Sequence, residues 1–173
     1  MTDLAHTPQE LLSRLESTKQ ASRQLNAASP GTRDAALAAL AEGLAADAEQ
    51  IVAANVLDLE RGVRDGMTQG LQDRLRLTPE RVEGLVEAVK VIASLPDPLG
   101  HVVREMTLAN GLEVSQVRVP FGVIGAIYEA RPNVTVDITA LALKSGNAVA
   151  LRGGSAALET NKALVEIMHR ALE

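Results

Sequence analysis

The run from Arg118 to Ser155, RVPFGVIGAIYEARPNVTVDITALALKSGNAVALRGGS, constrains this chain more than any other stretch. Gly122 to Ile127 is a short apolar run suited to a buried strand, and Asn147 to Leu151 is a second. Between them lie a polar loop, Tyr128 to Asn133, and a helical pattern that places Val134, Ile138, Leu141 and Ser145 on one face. Gly146 follows at the position of a C-cap glycine. Strand, helix, strand with a crossover of this length requires parallel pairing and a right-handed connection. In open parallel sheets, ligands bind outside the carboxyl ends of the strands. The loop after each strand is therefore where chemistry is expected. The second loop is Arg152-Gly153-Gly154-Ser155, followed by a closing helix over residues 159–172.

Upstream, residues up to about Leu95 follow a helical grammar. Thr7-Pro8-Gln9-Glu10 has the form of a capping box with proline at the first helical position, and Leu11, Leu15, Thr18, Ser22 and Leu25 repeat behind it at helical spacing. Ser29-Pro30 opens a second helix with Leu37, Leu40 and Leu44 on one face. A third runs from about Asp47 toward Arg61, with Gly62 and Gly66 marking its end. Thr78-Pro79-Glu80 starts a fourth, whose Val82, Leu85, Val86, Val89 and Ala93 form an apolar stripe that ends before Pro96-Asp97-Pro98. Between Val102 and Val119 the period changes to that of strands around Asn110-Gly111, a strong hairpin signal, since both central positions of the tightest turns need positive φ. Neither face of this hairpin is cleanly apolar, so it needs another surface to lie on, either a partner subunit or the rest of the chain.

Composition removes several function classes. Aromatic residues make up 1% of the 173, with no Trp, and Phe121 and Tyr128 are the only ones, so the core must be aliphatic. Base-stacking platforms are absent, and a net charge of −5 without a basic stripe argues against nucleic acid as a partner. There is no cysteine, which excludes disulfides, Cys-based zinc sites and a thiol nucleophile within the chain. His6, His101 and His169 are too scattered to suggest a metal site. No apolar run approaches the ~20 residues of a membrane span, and the first residues have neither the basic nor the apolar region of a signal peptide, so a cytoplasmic location away from membranes is expected.

Each strand-end loop has two readings from its residues. Asn133 is placed either to cap the helix that follows or to donate its amide to a developing oxyanion. Glu129 and Arg131 are either substrate-facing charges or a solvated pair. Gly153-Gly154 beside Arg152 permits close backbone approach to a phosphate or ribose, or forms a plain turn. It is neither a Gly-Lys-Ser/Thr phosphate loop nor the GxGxxG dinucleotide fingerprint.

Taken as one pattern, VPFGVIGAIYEARPNVTVDITALALKSGNAVALRGG resembles the cofactor-binding region of the γ-glutamyl phosphate reductases, the proline-biosynthesis branch of the aldehyde dehydrogenase superfamily. Ala54-Asn55 with Asp58, Leu71-Gln72-Asp73-Arg74-Leu75, Asp97-Pro98-Leu99-Gly100 and Asn110-Gly111-Leu112 fit that family in order, so the resemblance covers nearly the whole chain. Arg131-Pro132-Asn133 and Arg152-Gly153-Gly154 stand where the wider superfamily has Pro-Trp-Asn and Lys-Pro-Ser, which points to the acyl-phosphate reductase branch.

The resemblance implies an α/β, aldehyde-dehydrogenase-like fold in an incomplete domain. Residues 1–97 form its helical region, 101–119 a β-hairpin oligomerisation arm, and 120–173 the start of a parallel Rossmann-like sheet. It implies NADPH-dependent reduction of L-glutamate 5-phosphate to L-glutamate 5-semialdehyde and phosphate, through a thiolate. Asn133 takes the oxyanion role, and Arg152, Gly153, Gly154 and Ser155 lie beside the cofactor's adenosine ribose. By the same resemblance Glu129 and Arg131 belong to the substrate-facing loop, and a homo-oligomer is expected through the hairpin around Asn110-Gly111. The family's nucleophile lies in a catalytic domain that these residues do not contain, and neither Ser145 nor Ser155 has a base at a suggestive spacing. The chain therefore reads as the N-terminal part of a longer reductase, inactive alone. The alternatives are a non-catalytic nucleotide-binding or oligomerisation module, or a helical interaction protein built on residues 8–95.

Overall fold

The computed structural model describes residues 7–173; His6 and the first residues, expected to lack a signal sequence, lie outside them. Helix α1 (Pro8–Ala27) starts at the expected capping box. The Thr7 hydroxyl accepts from the Glu10 N–H at 3.3 Å, and the Glu10 carboxylate accepts from the Thr7 N–H at 2.8 Å. Its apolar stripe is only lightly covered, with Leu11 51% exposed and Ser22 the one buried residue. Helix α2 (Pro30–Ala46) behaves otherwise, since Leu37, Leu40 and Leu44 are fully buried. Each such side chain contributes about 1.5–3 kcal/mol by leaving water.

Helix α3 (Ala48–Arg64) continues past its expected end. Gly62 lies inside it, pressed against Met67, and the stop is made at Gly66 with φ +76°. Gly62 is therefore a packing glycine rather than a terminator. The short helix α4 (Gln69–Leu75) follows, with Thr68 at its cap position but no side-chain cap bond, and then α5 (Pro79–Ser94), which buries Val82, Leu85, Val86 and Val89 as expected.

Strands β1 (Val102–Thr107) and β2 (Glu113–Val117) form an antiparallel hairpin. Its turn differs from the two-residue type expected. Leu108 N–H donates to Leu112 O at 2.8 Å and Gly111 N–H to Leu108 O at 2.8 Å, and only Gly111 has positive φ (+85°). This is a three-residue loop closed by a left-handed glycine. The Asn110 side chain accepts from Leu112 N–H at 3.1 Å, so asparagine serves by hydrogen bonding and needs no left-handed backbone. Both strands are exposed along almost their whole length, so the described residues supply no covering surface for the hairpin.

Strands β3 (Val123–Tyr128) and β4 (Ala148–Gly153) pair in parallel, joined by α6 (Asn133–Lys144). Gly146, at φ +71°, ends α6. Asn147 N–H donates to Ala142 O at 2.8 Å and Gly146 N–H to Leu143 O at 3.1 Å, the two bonds of a Schellman cap. The buried face of α6 is not the expected one. Leu141 is 51% exposed and Val134, Ile138 and Ser145 are half-buried, whereas Thr135, Val136, Thr139 and Ala140 are buried. Threonine is tolerated inside because its hydroxyl is satisfied, as Thr139 is by the Thr135 carbonyl at 2.7 Å. One turn of 3-10 helix, Ser155–Ala157, leads into the last helix, α7 (Leu158–Leu172).

A single aliphatic cluster joins α2, α3 and α5 to α6 and α7, with Leu164 and Ile167 packed among Leu40, Leu44 and Val136. Helices from both halves thus share one core, which does not favour a helical unit built on residues 8–95 alone.

Candidate functional site at the carboxyl ends of the parallel strands

The parallel register sets Ile127 beside Arg152 and Tyr128 beside Gly153, so the two flagged loops leave the sheet side by side. They touch where a side chain would not fit. A Cβ on Gly154 would stand 3.0 Å from Glu129 Cγ and 3.3 Å from Glu129 Cα. At Gly153 it would run into the Asn161 amide, with Tyr128 behind at 3.5 Å. Gly154 is thus accounted for by close packing of the second loop on the first, and Gly153 by the Asn161 side chain of α7. In the first loop, Ala130 is the sole non-glycine residue among those described with positive φ (49°), and it is buried. Such a conformation costs about 1 kcal/mol or more and persists only where surrounding structure holds it. It turns the chain sharply between Glu129 and Arg131, both of which remain exposed.

Asn133 is the first residue of α6 rather than a cap ahead of it. Pro132 occupies the cap position, and no side chain caps the helix. The Asn133 amide is half-buried and donates to the Asp137 carboxylate at 3.1 Å, one turn along. That contact orients the amide and leaves its second N–H without a protein acceptor among the described residues. Behind the loops, Thr135 donates to Asn161 Oδ1 at 2.9 Å, so the Thr135 hydroxyl oxygen is the acceptor for the Tyr128 phenol. Burial pushes the Tyr128 pKa above its ordinary value, with the Thr135 hydrogen bond acting in the opposite direction.

The second loop is held from the helical region by a carboxylate. Asp58 on α3 is fully buried and accepts from Glu159 N–H at 3.1 Å and from Thr160 N–H and hydroxyl at 2.8 and 2.7 Å. It caps α7 from another helix, and α7 has no side-chain cap of its own. Arg61 pairs with Asp58 and also donates to the Ser155 carbonyl at 2.8 Å. Asn55, equally buried, donates to Leu75 O at 2.8 Å and accepts from Leu77 N–H at 2.7 Å, fixing the end of α4. Asn55 and Asp58 were visible in the sequence only as members of a pattern. Apart from the neighbouring Arg61, their partners lie 20 to 105 positions away.

Together these contacts enclose a cleft of about 710 Å³ with Glu129, Arg131 and Ser155 on one side and Arg61, Asp65 and Arg74 on the other. The structure therefore brings three of the sequence-derived residues into one cleft. Asn133, Arg152, Gly153 and Gly154 lie outside its lining. Arg61, Asp65 and Arg74 were missed as site residues, because nothing local marks a helical arginine as facing a loop ninety residues on. Arg152 is exposed beside Ile127, itself 78% exposed, and has no side-chain partner among the described residues. A free guanidinium beside an apolar surface is a donor set that fits a phosphate or ribose of a dinucleotide. Among the described residues no group of three or more His, Cys, Asp or Glu could hold a metal, and no helix is long and apolar enough to cross a membrane.

No protein-family model matches the chain. It is 55% identical over 166 residues to gamma-glutamyl phosphate reductase of Leifsonia xyli subsp. xyli, a match that takes in 96% of this chain and 39% of that protein. The crystal structure of gamma-glutamyl phosphate reductase from Thermotoga maritima superimposes with a TM-score of 0.89 at 41% identity, over 94% of this chain and 39% of that one. An NAD-dependent benzaldehyde dehydrogenase from Corynebacterium glutamicum shares the fold, with a TM-score of 0.75 at 24% identity over 95% of this chain and 34% of its own. The chain thus spans about two fifths of the length of its curated relatives. Over that span sequence and architecture agree: the chain matches the N-terminal portion of gamma-glutamyl phosphate reductases and has the aldehyde dehydrogenase fold.

Proposed function

We propose that this chain is the N-terminal, cofactor-side portion of an NADPH-dependent reductase that converts L-glutamate 5-phosphate to L-glutamate 5-semialdehyde and phosphate in proline biosynthesis, in the cytoplasm. The observation that carries this reading is the 55% identity to a gamma-glutamyl phosphate reductase along 96% of the chain. The side-by-side strand-end loops lend it support.

Each residue then has a task. Asn133, oriented by Asp137, directs a free N–H toward the oxyanion that develops when a nucleophile attacks the acyl phosphate; such donors act most strongly when held in place beforehand. Arg152 receives a phosphate or ribose oxygen of NADPH, and Gly153, Gly154 and Ser155 set the backbone path that brings it there. NADPH, when bound, supplies the hydride. Glu129 and Arg131 orient the substrate. The nucleophilic thiolate must come from outside these residues, since they contain no cysteine, and the chain by itself is expected to be inactive.

The test is to read the coding sequence beyond Glu173 and assay its product. A longer product with a cysteine in a second α/β domain should form semialdehyde from L-glutamate 5-phosphate and NADPH, and N133A should lower kcat by about 10²–10³-fold. Turnover by the 173-residue chain would refute the need for an outside thiolate. A stop after Glu173 in a stable, inactive protein would favour the nucleotide-binding or oligomerisation module instead.

A further inference from the structure

Asparagine is a thermolabile residue, because its amide can react with the backbone that follows it. Six asparagines occur in the chain, and five of them sit in helices or in the interior. Asn26, Asn55, Asn133 and Asn161 lie in α1, α3, α6 and α7, and Asn147 is buried. Each of the five precedes a residue with a side chain, and Val134 and Ala148 donate their N–H groups to Arg131 O at 3.1 Å and Gly122 O at 2.9 Å. Asn110 differs on every count. It is exposed, lies in the hairpin loop, and precedes Gly111, where even an added Cβ would meet nothing within 4 Å.

The turn also prepares the Asn110 side chain. Its Oδ1 accepts from Leu112 N–H at 3.1 Å, and the ring closed by that bond passes through the Gly111 nitrogen. The bond draws electron density from Cγ. Nδ2 has no acceptor among the described residues, so nothing holds it against departure into water. One contact restrains the nucleophile, since Gly111 N–H donates to Leu108 O at 2.8 Å. Both strands are exposed and the ribbon has no covered face, so opening this bond locally costs little.

We propose that Asn110 is a site of spontaneous deamidation through a cyclic imide, and that the isoaspartyl product dismantles the hairpin turn. Water and hydroxide are the only co-reactants, and no electrons change hands. The Gly111 nitrogen gives its proton to hydroxide and bonds to Asn110 Cγ. The Cγ–Nδ2 bond breaks, and Nδ2 leaves as ammonia after taking a proton from water. Water then opens the imide at either of its carbonyl carbons. Attack at Cγ restores the original backbone with an aspartate side chain. Attack at the main-chain carbonyl carbon leaves the backbone running through Cβ and Cγ, with a free carboxylate beside it.

The two products differ at the turn. An aspartate keeps an oxygen for Leu112 N–H, so the loop survives. The isoaspartyl form adds a methylene to the main chain inside the loop that Leu108 N–H closes on Leu112 O at 2.8 Å. The pairing of Thr107 with Glu113 and of Met106 with Val114 then loses the turn that sets its register. No buried face of the ribbon compensates.

The purified chain is aged at body temperature, at neutral and at mildly alkaline pH, and then cleaved with trypsin. The peptide from Glu105 to Arg118 should convert from amide to acid, in both aspartyl and isoaspartyl forms and faster at the higher pH. Peptides carrying the other five asparagines should stay unchanged. N110Q, whose longer side chain must close a larger ring, should lose the conversion. Amide spectra of the aged chain should lose the cross-strand contacts between β1 and β2 in proportion to isoaspartyl content, while signals of α6 and α7 persist. N110D should keep those contacts. No conversion at Asn110, conversion to aspartate alone, or equal conversion at another asparagine would overturn the imide assignment. An intact hairpin in the isoaspartyl chain would overturn its effect on the turn.

Discussion

Asp58 shows how much a single buried side chain can organise here. It replaces the missing cap of α7, holds Arg61 against the Ser155 carbonyl, and so ties the second strand-end loop to the helical region. Replacing it leaves buried N–H donors without acceptors. D58A should lower unfolding free energy by about 3 kcal/mol. D73A, which breaks the exposed pair with Arg81, should cost less than about 1 kcal/mol, and urea denaturation of both variants measures the contrast. Tyr128 adds a pH signature. Its pKa is raised in the fold, so its contribution to stability is complete below the unfolded phenol's pKa, about 10, and is lost as pH rises through the folded value. The alkaline limb of the wild-type stability profile should therefore fall more steeply than that of Y128F. Residue roles of this kind were only partly legible in the sequence. Thr7, Ser29 and Thr78 announce helix starts through bonds to residues three positions on. Asp58 and Arg61 pair locally, three positions apart, but the bonds of Asn55, Asp58 and Arg61 to Leu75, Leu77, Ser155, Glu159 and Thr160 cross the fold, and no local signal encodes those partners.

At the scale of elements, most of the punctuation was readable, and the facing was readable for α2 and α5 but not for α6. Gly146 stands at the predicted end of α6, and its positive φ together with the space left for it explains why. A Cβ there would lie 2.8 Å from Leu99 Cδ1 and 3.2 Å from Pro120 Cγ. G146A should cost about 1–3 kcal/mol and lower the thermal midpoint, as measured by calorimetry. The face of α6 was misassigned because aliphatic residues were expected inside. The structure instead buries Thr135 and Thr139, whose hydroxyls are hydrogen-bonded, and leaves Leu141 half exposed. The hairpin turn was located correctly at Asn110-Gly111 and mistyped, because the same dipeptide serves a three-residue loop with one left-handed residue.

For the whole molecule, the shared core of α2, α3, α5, α6 and α7 makes the helical and sheet halves interdependent. Two surfaces stand apart from that core. One is the hairpin, exposed on both strands; the other is the two-stranded sheet, with Ile127 78% exposed and Phe121 93% exposed nearby. A strand ribbon without a covered face is stable when another surface receives it. We expect the hairpin to mediate self-association, as its resemblance to the family's oligomerisation arm implies. Sedimentation velocity should then show oligomers that dissociate when Val114 and Val117 are both replaced by lysine, with little change in unfolding midpoint. A monomeric wild-type chain at the same concentration would count against it.

The sequence by itself determined the order of the helices and strands apart from α4, the capped starts of α1, α2 and α5, the glycine stop of α6, the parallel β-α-β unit and the absence of a thiol. These depend on residues close together in the chain, where backbone propensity and short-range hydrogen bonds act. Only the tertiary structure decided which face of α6 is buried, that Asp58 caps α7, and that Arg61, Asp65 and Arg74 share a cleft with Glu129 and Arg131. Those outcomes depend on packing between segments far apart in sequence, and burial selects among faces that local patterning leaves open.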